Sequence, residues 1–94
     1  MALANMEEYT SILVESFYSP ETAHRGFVHI RPCAGQEFSP KCFIECRDEM
    51  KDTATYPLGT VFRILVKEKR PKSRGDRKHL YCPYHWSFEV VQGS

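Results

Sequence analysis

Five stretches of this chain are built from β-branched and aromatic residues, with Pro or Gly punctuating the gaps between them. Residues 10–18 are the first, and the run stops at Ser19-Pro20. Residues 26–32 alternate, with Phe27, His29 and Arg31 on one side, Val28 and Ile30 on the other, and Pro32 as the stop. Residues 41–46 repeat the pattern: Cys42, Ile44 and Cys46 face one way, Phe43 and Glu45 the other. In residues 60–68, Phe62, Ile64 and Val66 are predicted inward and Arg63, Lys67 and Lys69 outward. Leu65 breaks that alternation, so this strand is expected to be partly covered on both faces. Residues 79–91 return to β character, with a break at Pro83 and an inward face of Trp86, Phe88 and Val90.

Between the third and fourth runs, residues 47–52 are charged and lose β character, which fits one or two helical turns. Tyr56-Pro57-Leu58-Gly59 then carries Pro and Gly where a tight turn wants them. Every connection except the helical one is short enough for antiparallel neighbours. A flat sheet would leave its edges exposed, and closure into a barrel removes them. The expected fold is therefore mainly β: a small antiparallel barrel of five to six strands with one short helix. The order β-β-β-α-β-β is OB-like in topology; an SH3-like barrel or an α+β roll also fits. At 94 residues the chain is expected to be one domain, 1–94, with an ordered core of about 9–91. This length leaves no room for a deep cleft between domains.

Charge is where the sequence speaks about function. The formal net charge is only +1. Yet seven bases and two acids fall between Lys67 and His79, a local +5, which leaves −4 for the rest. The bases are Lys67, Lys69, Arg70, Lys72, Arg74, Arg77 and Lys78, and no apolar residue interrupts the basic loop 69–78 except Pro71. The first 24 residues carry four Glu and no Lys or Arg. Such segregation is what a polyanion-binding module needs, although a basic hairpin tip can also be a solvated loop. In an OB-like order this segment is the β4–β5 loop. Together with the β1–β2 loop and the outer faces of strands two and three, it forms the usual oligonucleotide surface of such barrels. Phe27, His29, Arg31 and Tyr81 would meet bases or sugar there, and the loop bases would take phosphates. Phe27 and Phe43 could instead face the core, and Glu45 works against a phosphate surface. The competing expectation is a protein-interaction module whose basic loop or edge strand docks an acidic partner. Arg74-Gly75-Asp76, which spells a cell-adhesion tripeptide, is read as coincidence.

The four cysteines are expected to be reduced thiols, and the protein cytoplasmic, because the amino terminus has neither a basic start nor an apolar core. No apolar run approaches the ~20 residues of a membrane span. Cys82-x-x-His85 has a zinc-compatible spacing, and Cys46 could add a third ligand. In a strand, Cys42 and Cys46 would stand about 13 Å apart and could not share one ion. The alternative is that these thiols are small apolar core residues. Cys82 with His85 or His79 has the residue types for nucleophilic catalysis, but no orienting acid or phosphate loop accompanies them. No enzymatic activity and no cofactor are expected.

Overall fold

A computed structural model describes residues 9–20, 26–69, 79–83 and 87–93. Six strands are present: β1 (Thr10–Tyr18), β2 (Val28–Pro32), β3 (Phe43–Glu45), β4 (Val61–Lys69), β5 (His79–Tyr81) and β6 (Glu89–Gln92). They form one sheet in the order β2-β1-β4-β5-β3, with β6 on β4. β2 comes back against β3, so the sheet nearly closes into a barrel. This is the mainly β, OB-like order expected.

One pairing departs from the expected antiparallel pattern. β3 and β5 run parallel, with Ile44 opposite Leu80 and Glu45 opposite Tyr81. The reason is topological. A ring of five strands has an odd number of neighbour pairs, so they cannot all alternate in direction. The parallel pair falls where β3 joins by a long connection rather than a hairpin.

The predicted alternation matches the packing. Ile12 and Val14 on β1, Ile30 on β2, Ile44 on β3, Phe62, Ile64 and Val66 on β4, and Leu80 on β5 are all buried. Leu65 on the other face of β4 is half-buried, as its break in the pattern implied. Five residues outside the strands join this interior: Phe38 from the β2–β3 loop, Cys42 and Cys46 on either side of β3, Met50 from a 3-10 helix, Asp48–Lys51, and Cys82 just after β5. The expected helix is only this single turn. Its first residue follows Arg47, which makes no side-chain cap, and the Asp52 N–H already closes it onto the Glu49 carbonyl. Met50 is fully buried, so the turn serves to place one apolar plug.

Pro57-Leu58-Gly59-Thr60 forms the turn into β4. The Thr60 N–H donates to the Pro57 carbonyl at 3.0 Å, and Gly59 has φ +90°. That positive φ at the third position needs Gly. The Gly59 N–H donates to the Ser16 carbonyl and also lies within reach of Ser16 Oγ, both at 3.1 Å, and this ties the turn to β1.

The last run is broken, as the Pro83 signal implied. β5 and β6 lie along the same edge of β4, with Lys67 opposite Tyr81 and Arg63 opposite Glu89. β4 advances four residues between those pairs while the returning chain spends eight, so β5 and β6 are not one continuous strand. A bulge at Val61/Phe62 interrupts the β6 register. Phe88 is half-buried and makes edge-on contacts with Phe62 and Tyr56 at 5.3 and 5.6 Å, consistent with its predicted inward side. Val90 corrects the same expectation, being 46% exposed. It sits opposite Phe62, but no described strand lies beyond β6, so half of its side chain stays in water. Trp86 lies outside the described residues.

Candidate polyanion-binding surface

The sequence-predicted residues that are described fall into two groups. The first lies on β1 and β2. Glu15 faces Arg31 across the antiparallel pair, and Arg31 Nε donates to Glu15 Oε2 at 2.8 Å. The guanidinium carbon sits 4.4 Å from the centre of the Phe17 ring. The rings of Phe17 and His29 are 6.1 Å apart, and His29 Nε2 lies 3.1 Å from the Gly26 carbonyl oxygen, to which it can donate. Phe27 stacks on Tyr18 at 5.5 Å and 13°, and both rings stand largely in water, 46% and 56% exposed. The outward reading of Phe27 thus holds, and the alternative that buried it does not. Arg31, by contrast, already spends much of its charge on Glu15. A half-exposed pair of this kind stabilises by about 0–1 kcal/mol, so its effect here is to fix the guanidinium rather than hold the fold.

The second group lies on β4, β5 and β3. Strand register places Lys67, Tyr81 and Glu45 in one row and Lys69, His79 and Phe43 in the next. Lys67 Nζ is 5.5 Å from the centre of the Tyr9 ring. His79 Nε2 lies 3.9 Å from Glu45 Oε1, an ion pair when the imidazole is protonated. Tyr81 is half-buried. Arg70, Lys72, Arg74, Arg77 and Lys78 lie outside the described residues, as do the side chains of Lys69 and Phe43. The described ends of β4 and β5, Lys69 and His79, pair directly and fix the base from which the basic segment leaves.

The two groups stand at opposite ends of β1. Phe27 is beside Tyr18, the last residue of β1. Lys69 is three residues beyond Val66, which pairs with Thr10, the first. A ligand meeting both would run along the barrel wall from the β1–β2 end to the β4–β5 end. β3 stands between β2 and β5 on that path, with half-exposed Glu45 on it. Tyr9, which faces Lys67, was not singled out in the sequence; it precedes the first strand and carries no motif.

The zinc reading finds little support in its described members. Cys46 and Cys82 are buried in the core at 3% and 2% exposure. Burial pushes the Cys46 thiol up to about 12 and raises that of Cys82, so both are held protonated. Cys33, partly exposed, is also raised, first by burial and then by Glu15. His85 lies outside the described residues. Among the described residues, no three His, Cys, Asp or Glu side chains gather as metal ligands, and no helix is long and apolar enough to cross a membrane.

Fold and surface together define a class: a small, mainly β, OB-like barrel whose fourth and fifth strands are joined by a base-rich segment. No family model, curated protein or solved structure matches the chain.

Proposed function

We propose that this protein is a non-catalytic cytoplasmic binding module for a polyanion, and that single-stranded nucleic acid is its ligand. The observation that supports the reading is positional. The strongest charge concentration in the chain, +5 between Lys67 and His79, is carried by the β4–β5 connection of an OB-like barrel. In that architecture this loop flanks the oligonucleotide surface. Lys67, Lys69, Arg70, Lys72, Arg74, Arg77 and Lys78 supply phosphate contacts. Tyr81 and Phe27 offer ring faces for stacking, with His29 and Arg31 beside Phe27.

A salt-titrated binding assay with a mixed-sequence single-stranded oligonucleotide tests this. Four phosphate contacts at about −0.7 each give a slope of log K against log salt near −3. Replacing Phe27 and Tyr81 by Ala weakens oligonucleotide binding by roughly 1–3 kcal/mol per stacked base. Absence of binding at low salt, or binding indifferent to the loop bases, rejects the reading. Binding of acidic protein that survives the Phe27 and Tyr81 changes favours the competing interaction module instead.

A further inference from the structure

Two thiols, Cys46 and Cys82, lie one residue beyond the ends of the paired strands β3 and β5. Phe43, Ile44 and Glu45 face His79, Leu80 and Tyr81 in turn, and the same offset sets Cys46 opposite Cys82. The ladder continues to that point, because the Cys82 N–H donates to the Glu45 carbonyl at 2.9 Å. Cys46 lies two residues beyond Ile44, and Cys82 two beyond Leu80. All four side chains belong to the same core cluster. Neighbouring strands lie about 4.8 Å apart, within the roughly 4.4–6.8 Å between Cα atoms that a disulfide bridges. The thiols are close enough to affect each other's ionisation, since a thiolate at Cys82 disfavours one at Cys46.

We propose that Cys46 and Cys82 form a reversible disulfide that ties β3 to β5 through the barrel interior. The co-reactant is a small-molecule disulfide of the oxidised-glutathione class. Cys82 loses its proton and attacks one sulfur of that molecule; its S–S bond breaks and one small thiolate leaves. Cys46 then loses its proton, attacks the Cys82 sulfur and displaces the second small thiolate. The two protein thiols are oxidised by two electrons, and the small disulfide is reduced to two thiols. Burial raises the Cys82 thiol, but a backbone hydrogen bond from Leu65 and the nearby Arg47 charge partly offset it, so Cys82 is assigned the first attack. Burial opposes both thiolates and shields both sulfurs from solvent, so the exchange proceeds through transient local opening, is slow at neutral pH and accelerates as pH rises. The bond would fasten the parallel β3–β5 seam of the barrel, next to the Tyr81–Glu45 row, whatever that row binds.

The test uses the full chain carrying Cys33→Ala and Cys42→Ala, with wild-type protein in parallel. Each is incubated with oxidised glutathione in its native state. The double variant is expected to lose both free thiols and the mass of two hydrogens, remain monomeric and gain roughly 10 °C in melting temperature. All three changes reverse on reduction. Peptide mapping of oxidised wild-type protein is expected to find the segment containing Cys46 joined to the one containing Cys82. Persistence of two thiols, a stable mixed disulfide, a chain-to-chain crosslink, or wild-type linkage through Cys33 or Cys42 overturns the proposal. So does retention of stoichiometric zinc by the two thiols in place of the bond.

Discussion

At the scale of single residues, Gln36 does work that no motif announces. β2 stops covering β1 at Val14, which pairs with Pro32. The next β1 residue along that edge, Leu13, would be left with an unpaired N–H. The Gln36 side chain fills the gap as a strand would: its Oε1 accepts from the Leu13 N–H at 2.7 Å, and its Nε2 donates to the Leu13 carbonyl at 2.7 Å. The same Nε2 reaches the Cys33 carbonyl at 3.0 Å. Gln36→Ala leaves a part-buried amide unpaired and is expected to cost about 1–3 kcal/mol in a denaturant melt. Gln36→Glu separates this role from simple packing. A carboxylate can accept from Leu13 but would face two carbonyls it cannot donate to, so its folded-state pKa rises above the ordinary value near ~4.3. The destabilisation is then full at neutral pH and is relieved as pH falls and the protonated form can donate. A variant whose deficit is the same at pH 4 and pH 7 rejects the assignment. The buried thiols give a second pH signature of known sign. Cys46 ionises near 12 when folded but in the ordinary thiol range, near 9, when unfolded. Between those values the folded chain holds the extra proton. Stability is therefore intact below about pH 9 and falls as pH rises toward 12, by up to about 1.4 kcal/mol per pH unit for this thiol. Cys46→Ala is expected to flatten that slope in alkaline melts.

At the scale of elements, the turn into β4 is the joint on which the register depends. Gly59 holds φ +90°. Its N–H and the Ser16 N–H, which donates to the Thr60 carbonyl at 3.3 Å, bind the turn to β1. Gly59→Ala is expected to destabilise by roughly 1–2 kcal/mol, because an L side chain resists that conformation. Thermal melts measure the loss, and an unchanged midpoint would mean that the turn can change type. This joint was readable in the sequence, since Pro57 and Gly59 name a turn by their own chemistry. The alternations of β1, β2 and β4 were equally readable, because one wet face and one buried face leave a period-two trace. Three features were not. The parallel β3–β5 pair follows from closing an odd number of strands, which no local pattern records. Val90 alternates as a core residue should, but β6 is an outer strand, and burial there depends on what lies beyond it. Gln36 sits in a loop that composition marks only as polar. At the surface, the alternation of Phe27 with Val28 separated two faces but did not say which was outward; the 46% exposure of Phe27 settles that. The Glu15 partner that occupies Arg31 was not legible, because cross-strand pairing is set by register rather than by sequence distance.

At the scale of the whole molecule, the described exposed apolar side chains gather toward one end of β4, and the base-rich segment attaches at the other. Among the described residues, Tyr18, Phe27, Leu58, Val90 and Val91 are the exposed large hydrophobic ones. Tyr18 ends β1, Phe27 stacks on it, Leu58 lies in the turn tied to Ser16, and the two valines flank the start of β4 through β6. The basic segment leaves from Lys69 and His79, at the other end of β4. The described core is drawn from β1 to β5, from Phe38, Cys42, Cys46 and Met50 in the connections, and from Cys82 just after β5. Electrostatic binding and folding should therefore separate cleanly. Changing Lys69, Arg70, Lys72, Arg74, Arg77 and Lys78 together to Ser takes the formal net charge from +1 to −5. Surface changes away from packing, caps and buried pairs each shift stability within about ±0.5 kcal/mol, so the melting temperature should stay near that of the parent. Retention on an immobilised polyanion at low salt should be lost, because the six removed charges are those that release counterions. A variant that unfolds would show that the segment belongs to the fold. One that stays folded and is still retained would place the anion site elsewhere, with the β1–β2 group around Phe27 as the next surface to change.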